Sequence, residues 1–435
     1  MSMPKKTNKV LVISRANPEM DYLAAGLSQR GLLGTYVRPY ARKGRLWEKA
    51  ITFFTRGLTT STIGRRGMPE GLDMAHIREA GVIYDFATAL LGRVGNRLPF
   101  LLSMFSQWSE KMGKSIENRI GALALQFTPG VRAVVGNVLV SLPAFKATDG
   151  LRVLNSSNAH YKYLQAWAVE EGRLTPGFLK ELIPWANVDS EYKLKVDQEY
   201  VLADRILVGS SFAKNSHTQF GIPEDKLIVV PYGVDLTLFQ EKAWQSSDQH
   251  GLNILYVGQI GPRKGVSYLL QAYEKFHKTN DSLTLVGNFA GSREPFTPFL
   301  HLFTHIPHVP RTKLAELYKN ADVFLFPSLV EGMGLVVLEA MACGLPVIAT
   351  PNGPGDIVRD GVDGFLVPPR DVDAIVARLE YLRSHPQKCR EMGHNAAERA
   401  KIFTWGNYAQ AALAAILEGK QIHPGLKRNN ELGIH

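Results

Sequence analysis

Apolar and polar positions alternate along the first half of the chain in the pattern of strands followed by helices. A short apolar run at 10–13 leads into a polar loop and then a helical pattern at 19–30, which Gly31 closes. Later segments of strand or helix type are 133–140, 152–155, 191–202 and 204–209. This alternation predicts a parallel sheet flanked by helices.

The second half repeats the alternation more clearly. Its apolar runs of strand length are 253–258, 282–287, 323–326, 347–349 and 364–367. Its helical stretches are 266–277, 311–320, 335–343 and 372–383. Strands that end in glycine-rich or polar loops and feed helices place a ligand site at their carboxyl ends.

The chain of 435 residues exceeds the usual size of one hydrophobic core, so two domains are expected. A polar, featureless stretch at 240–251 follows Pro231 and Gly233 and suits a linker. We therefore predict an α/β protein with two doubly wound, Rossmann-like domains that face each other across a cleft. The first covers 1–240 and the second covers 251–402.

The densest chemical signal lies at 323–350. A buried strand ends in a loop that carries Glu331 and two glycines, and a helix bearing Glu339 begins just after Gly334. Glycines let the backbone approach a ligand closely, and the amides of a helix N-terminus favour an anion. A carboxylate in an apolar helix needs a partner, and a sugar or ribose diol offers two hydroxyl donors.

This stretch resembles the donor-binding segment of glycosyltransferase family 4, whose members are retaining enzymes of the GT-B architecture with an E-x7-E pattern. Glu331 and Glu339 match the two glutamates, and the likeness continues through 352–371. The resemblance implies that Glu331 lies near the transferred sugar and that Glu339 holds the ribose hydroxyls. It also implies that a C-terminal helix at about 403–420 crosses back and completes the first domain. Donor-binding positions implied by the likeness are Gly332, Met333, Gly334, Leu335, Gly258 and Gln259.

The loop after the strand at 253–258 carries two adjacent cations, Arg263 and Lys264, flanked by glycines. Such a pair suits a diphosphate, since Arg contacts oxygens through two N–H groups and Lys adds a point charge. The family has an Arg where this chain has Gln259, and Arg263 is the candidate to supply that charge. We therefore assign Arg263 and Lys264 to the departing diphosphate.

On the acceptor side, His160 follows a strand in the run 154–160, where the family often has a His near the reacting sugar. His160 is the candidate for a first-domain contact with the donor sugar or the acceptor, and a purely structural His is the alternative. The family's Gly-Gly pair after strand one is missing, and Arg15 is a candidate replacement.

No metal site is expected. Asp371 and Asp373 spell D-x-D, but they lie at a predicted helix start, where Asp371 suits an N-cap. The two cysteines, Cys343 and Cys389, are too few for a zinc site or a disulfide framework, and Cys343 suits a small buried hydrophobe in a reducing cytoplasm. We predict metal-independent chemistry that uses no cofactor beyond its nucleotide-sugar substrate.

The net charge of +10 concentrates in a segment at 42–66, where basic residues alternate with aromatic ones. This composition favours the surface of an anionic membrane. A solvated basic loop is the next alternative, and nucleic acid is the least favoured, so no nucleic-acid partner is expected. No run reaches the length of a bilayer span. We expect a cytoplasmic protein that associates with the cytoplasmic face of the membrane through this segment.

Together these features predict a retaining, hexosyltransferase-like enzyme that moves a sugar from a nucleotide-diphosphate donor to a glycan or lipid-linked acceptor in surface polysaccharide or glycolipid biosynthesis. The alternative is a catalytically inactive GT-B protein that binds the sugar or nucleotide. A dinucleotide-dependent oxidoreductase is disfavoured because the loop after strand one lacks the G-x-G-x-x-G turn. The sequence leaves open the donor base, the sugar, the acceptor and the oligomeric state.

Overall fold

A computed structural model describes residues 7–41, 68–81, 102–244 and 251–419 of the chain. Its first sheet has seven strands in the order β3-β2-β1-β4-β5-β6-β7. These strands are β1 (Val10–Ile13), β2 (Leu33–Arg38), β3 (Ile77–Glu79), β4 (Ala133–Asn137), β5 (Leu151–Ser156), β6 (Arg205–Val208) and β7 (Leu227–Val229). Strands β1 to β5 pair in parallel, as the alternation with helices predicts.

Helices connect the strands of this half. They are α1 (Pro18–Gln29), α2 (Leu102–Leu125), α3 (Leu142–Ala147), α4 (Tyr161–Leu174), α5 (Leu179–Ala186), α6 (Ser190–Leu202) and α7 (Ser211–Thr218). Ser210 caps α7 by accepting a hydrogen bond from the Ala213 amide at 3.1 Å.

The second sheet has six parallel strands in the order β10-β9-β8-β11-β12-β13. They are β8 (Asn253–Val257), β9 (Ser282–Val286), β10 (Thr304–Ile306), β11 (Val323–Phe326), β12 (Val347–Ala349) and β13 (Gly364–Leu366). The helices are α8 (Val266–Phe276), α9 (Arg311–Asn320), α10 (Leu335–Ala342), α11 (Val372–Ser384), α12 (Pro386–Ala400) and α13 (Trp405–Glu418). The strand order reverses between β8 and β11, and such a switch point opens a ligand crevice at the carboxyl ends.

The predicted strand at 133–140 is too long, because β4 ends at Asn137. Leu139 has a φ of +80°, which breaks the extended backbone. The buried carboxylate of Glu199 accepts hydrogen bonds from the amides of Leu139, Ser141 and Leu142 at 2.6 to 2.9 Å. A distant side chain therefore fixes this turn.

Two compact units divide the chain. Among the described residues, one unit contains those up to Ser156, Ser190–Leu207 and the end of α13 from Ala409, and the other contains Ser157–Asp189 and those from Val208 to Tyr408. This division differs from the predicted boundaries, since 157–189 and 208–240 group with the second half of the chain. The end of α13 from Ala409 onward groups with the first unit, and the Ala409 Cβ lies 2.9 Å from where a Cβ on Gly26 of α1 would stand.

Several other predictions concern burial or membrane spans. Cys343 and Cys389 are both buried and unbridged, which confirms the small-hydrophobe interpretation of Cys343. None of the helices in the described ranges has the length and apolar character needed to cross a bilayer. The basic segment at 42–66 lies outside the described residues.

Candidate donor site at the carboxyl end of the second sheet

A tight turn after β8 presents the two predicted cations. Pro262 opens a 3₁₀ turn that carries Arg263 and Lys264, and Gly265 closes it with a φ of +66°. A Cβ on Gly265 would lie 2.0 Å from the carbonyl oxygen of Pro327, so only glycine fits. The turn is thus pressed against the loop that follows β11.

Hydrogen bonds hold that loop, 327–334, between its neighbours. The Arg263 carbonyl accepts from the Leu329 amide at 2.9 Å. From the β12 side, the Asn352 side chain donates to the Leu329 carbonyl at 2.7 Å, and the Thr350 hydroxyl donates to Ser328. Loops from β8, β11 and β12, which are adjacent in the sheet, therefore meet at one point.

Glu331 lies at this point and contacts both cations. Its Oε2 forms an ion pair with Lys264 Nζ and lies 3.5 Å from Arg263 NH1. The three side chains are 12% to 18% exposed. Burial, and then the Arg263 charge, lower the pKa of Lys264 well below its usual range. The cluster carries one net positive charge when all three groups are ionised, which suits an anionic ligand.

Glu339 occupies a separate position on α10. Tyr318 donates its hydroxyl to Glu339 Oε2 at 3.2 Å, and Arg311 donates to Oε1 at 3.3 Å. Burial raises the pKa of the Glu339 carboxyl to about 7, against the opposing effects of Arg311 and Tyr318. A carboxylate held by two donors has remaining lone pairs for the hydroxyls of a ligand.

The predicted positions 332–335 link the loop to α10. A Cβ on Gly332 would meet the Ser157 carbonyl at 1.9 Å, and the Ser210 hydroxyl donates to the Gly332 carbonyl at 2.5 Å. Gly334 has a φ of +91° and stands at the N-cap of α10. The Met333 side chain is buried, with its sulfur 2.9 Å from the Tyr232 amide nitrogen, whereas Leu335 is partly exposed.

Gly258 and Gln259 follow β8 directly. Gly258 has a φ of +151°, and Gln259 is exposed while its carbonyl accepts the Tyr256 hydroxyl at 2.7 Å. Arg263, not Gln259, is the side chain that joins Lys264 at the Glu331 cluster. This position fits the expectation that Arg263 supplies the missing charge, and its role stays a prediction.

His160 is buried at the N-cap of α4 and is 1% exposed. Its Nδ1 accepts from the Lys162 amide at 3.2 Å, and its ring stacks with those of Tyr161 and Phe220. Burial, followed by the effects of His217 and Lys162, lowers the pKa of His160 to about 3. The ring is therefore neutral near pH 7, and its contact with a sugar stays a prediction.

The other polar candidates have structural partners. Asp371 caps α11 through the Ala374 amide at 2.8 Å, which confirms the N-cap interpretation, and Asp373 pairs with Lys275 at 2.9 Å. Arg15 pairs with Glu117 at 2.7 Å. Within the described ranges, one exposed group of three side chains has ligand atoms close enough to share a metal ion, a cluster the sequence did not indicate: Glu241, His394 and Glu398.

The sequence pattern did not indicate three side chains at the candidate site. Arg311 and Tyr318 bind Glu339, and the ring of Trp185 lies 5.7 Å from the Arg263 guanidinium. Arg311 begins a predicted helix and Trp185 ends an amphipathic one, so their local patterns signal only helix formation. Their contacts depend on which helices dock beside the site.

Residues 240–399 match the family model of the glycosyl transferases group 1. Curated relatives include an MMP alpha-(1->4)-mannosyltransferase of Mycolicibacterium hassiacum, 33% identical over 49% of this chain and 53% of that protein. A D-inositol 3-phosphate glycosyltransferase of Kribbella flavida is 32% identical over 50% of this chain and 57% of its own length. The chain thus spans about half the length of the curated relatives it matches.

Solved structures extend the likeness to most of the chain. HepE of Anabaena, in complex with UDP-glucose, has a TM-score of 0.61 and 15% identity over 94% of this chain and 99% of its own. A sucrose-phosphate synthase from Thermosynechococcus elongatus has a TM-score of 0.56 and 16% identity over 92% and 96%. At such identities the likeness concerns the fold, which is the predicted GT-B fold with two Rossmann-like sheets. Residues 240–399, the range that matches the model of the group 1 glycosyl transferases, hold the Arg263, Lys264 and Glu331 cluster and also Glu339.

Proposed function

We propose that the protein is a retaining glycosyltransferase of family 4 that transfers a sugar from a nucleotide-diphosphate donor to a glycan or lipid-linked acceptor. The observation that carries the proposal is the convergence of Arg263 and Lys264 on Glu331 at the carboxyl edge of the second sheet. A diphosphate needs buried cations, and the glycosyl group needs a nearby carboxylate to orient its hydroxyls. The group 1 family match over 240–399 supports the same reaction class.

In the proposed reaction the bond between the anomeric carbon and the phosphate oxygen breaks. The acceptor hydroxyl oxygen bonds to that carbon on the same face, and its proton passes to the departing phosphate. Arg263 and Lys264 stabilise the charge that grows on the leaving diphosphate. Before the donor binds, Glu331 balances these cations; the diphosphate then takes over that role, and Glu331 becomes available to the sugar hydroxyls.

His160 is proposed to contact the sugar as a neutral ring. With Nδ1 accepting from Lys162, the proton resides on Nε2. With a pKa of about 3 the ring is unprotonated near pH 7 and is a weak base, so a hydrogen-bonding role suits it better than proton transfer. Transfer is proposed to be metal-independent because two side-chain cations already face the diphosphate position, and unchanged turnover in EDTA is the expected result.

A donor panel tests the proposal. UDP-, GDP- and ADP-sugars are added to the purified chain, and thermal shift and sugar release are recorded. We expect one base to raise the melting temperature and to support slow donor hydrolysis, with UDP-sugars tried first because HepE is solved with UDP-glucose. Binding without hydrolysis or transfer would favour an inactive binding protein, and no binding would contradict the proposal.

The proposed acceptor is a glycan or lipid carried by the membrane. The basic, aromatic segment at 42–66 supports a membrane-borne acceptor, as expected for surface polysaccharide or glycolipid synthesis. Sedimentation with liposomes of neutral or anionic lipid tests this part. Salt-sensitive binding to the anionic vesicles alone is the expected result. If the same amount of protein stays in the supernatant with neutral and with anionic liposomes, the result contradicts this part.

The raised pKa of Glu339 predicts a pH dependence of donor binding. A carboxylate accepts two ribose hydroxyls better than a neutral carboxyl does, so affinity should rise as pH passes upward through about 7. We expect the donor Kd at pH 6 to exceed that at pH 8 by about tenfold, since the ionised fraction falls tenfold per pH unit below the pKa. Calorimetric titration across this range measures the effect.

The matched control is Glu339→Gln, which keeps the shape of the side chain and removes its titration. This variant should bind the donor weakly and with a nearly flat pH profile over the same range. If the variant and the unmodified chain show the same slope, another group causes the pH dependence and Glu339 does not hold the ribose.

A further inference from the structure

Helices α4 and α5 belong to the chain segment between β5 and β6 of the first sheet, yet they group with the unit that contains the donor site. The residues that fasten them lie around the carboxyl edge of the second sheet. This docking brings side chains that no donor motif contains to the Arg263 turn.

The strongest contact is a buried ion pair. Glu171 on α4 has no exposed surface. Its Oε1 accepts the Tyr268 hydroxyl at 2.8 Å, and its Oε2 accepts from Arg370 Nε at 2.9 Å. A second carboxylate, that of Glu170, lies 3.1 Å from Arg370 NH2. A buried charge with two direct partners fixes the geometry of the elements that supply them.

Both partners of Glu171 lie at the carboxyl edge of the second sheet. Tyr268 lies in the first turn of α8, directly after Gly265 and the two cations. Arg370 follows β13 and has a φ of +68°, a strained conformation for a residue other than glycine. Such strain persists where surrounding contacts over-determine it, and here the contacts to Glu170 and Glu171 do so.

Further along, α5 lies against the loop that follows β9. Glu181 Oε1 accepts from the Ser292 amide at 3.1 Å, and the rings of Phe178 and Phe296 pack at 4.9 Å between centroids. At the end of α5 the Trp185 ring lies 5.7 Å from the Arg263 guanidinium carbon. A guanidinium within about 6 Å of an indole ring is held by cation–π attraction.

We propose that α4 and α5 form a cover over the phosphate-binding turn, in which Trp185 is a positioning residue for Arg263 and Glu171 is the anchor. The cover excludes water from Arg263, and a desolvated cation stabilises developing negative charge more strongly than a hydrated one. The inference rests on the proposed glycosyl transfer for its kinetic effect. The location of Trp185 beside the anion position does not depend on it.

The kinetic test compares Trp185→Leu and Trp185→Phe with Ile183→Ala, a matched control that is 47% exposed on the same helix. We expect the Leu variant to lower kcat about tenfold with a small change in KM, within the range of a desolvated cation–π contact. The Phe variant, which keeps a ring, should stay within about threefold, and the control should match the unmodified chain. A Leu variant with unchanged kcat, or a Phe variant as impaired as the Leu variant, would overturn the proposal.

A spectroscopic test needs no turnover. Inorganic pyrophosphate, the part common to all nucleoside diphosphates, is titrated while tryptophan emission is followed. We expect a saturable change in the unmodified chain that is absent from Trp185→Phe, and the same change persisting in Ile183→Ala. A change of equal size in Trp185→Phe would show that the ring is not beside the anion.

Glu171→Gln tests the anchor. The carboxamide keeps an acceptor for Tyr268 but loses the charge that holds Arg370. The emission of Trp185 is obtained by subtracting the spectrum of a matched chain that has Phe at position 185. We expect this difference spectrum to shift to longer wavelength in Glu171→Gln, because the cover loosens. An unshifted difference spectrum contradicts the anchoring role. Failure of every donor in the panel, with the pyrophosphate signal intact, would instead count against the proposed function.

Discussion

Replacing Lys264 with Ala is expected to lower kcat by about 10²- to 10³-fold while the protein stays folded. The size follows from the loss of one preorganised charge at the leaving group, since a single donor of this kind contributes about that factor. KM should change less than kcat, because the leaving group gains most of its charge in the transition state. Initial rates over a range of donor concentrations, with circular dichroism as the folding check, give both quantities.

Lys275 provides the matched control for this substitution. It is a half-exposed lysine of α8, and its Asp373 partner lies at 2.9 Å. Lys275→Ala should retain the activity of the unmodified chain, because an exposed ion pair contributes little. Near-normal turnover in Lys264→Ala would remove Lys264 from the proposed mechanism, even if the donor still binds.

Replacing Gly265 with Ala is expected to lower both stability and turnover. The left-handed backbone disfavours any side chain with a Cβ, and the added methyl would lie 2.0 Å from the Pro327 carbonyl oxygen. We expect the free energy of unfolding to fall by about 3 kcal/mol, the sum of backbone strain and overpacking. The displaced turn would carry Arg263 and Lys264 with it and reduce kcat about 100-fold, the cost of a misplacement near 1 Å.

Replacing Gly361 with Ala distinguishes the cost of backbone strain from the cost of a steric clash. Its φ is +73°, close to that of Gly265, but a Cβ there would have nothing within 4 Å. Gly361→Ala should therefore lower the free energy of unfolding by only about 1 kcal/mol and leave kcat unchanged. Equal losses of stability in the two variants, measured by urea unfolding, would mean that the Pro327 contact does not constrain the turn.

Most of the second sheet and its helices could be predicted from the sequence. The boundaries of α9, β11 and β12 agree with the pattern, because fully buried strands and amphipathic helices have strong local signals. The elements of the first half were harder to predict from the sequence. The strand at 133–140 was overextended, since nothing local to Leu139 shows that Glu199, far along the chain, binds the turn.

The residues of the candidate site divide into two groups in the same way. Glu331, Glu339, Arg263 and Lys264 stand in glycine-flanked loops and helix starts, where residue types and spacing indicate their chemistry. Arg311, Tyr318 and Trp185 stand in ordinary helices, so only their neighbours in space give them a role.

The alternation of strands and helices, the candidate ligand edge of the second sheet and the charged residues placed there could all be read from the sequence, because they follow from periodicity and turn chemistry over short stretches. The tertiary structure decided which charges meet. It paired Glu331 with Lys264, gave Glu339 two donors, and docked α5 beside Arg263. Those contacts join residues distant in the chain, and their energies depend on burial and separation, which exist only once the elements have packed.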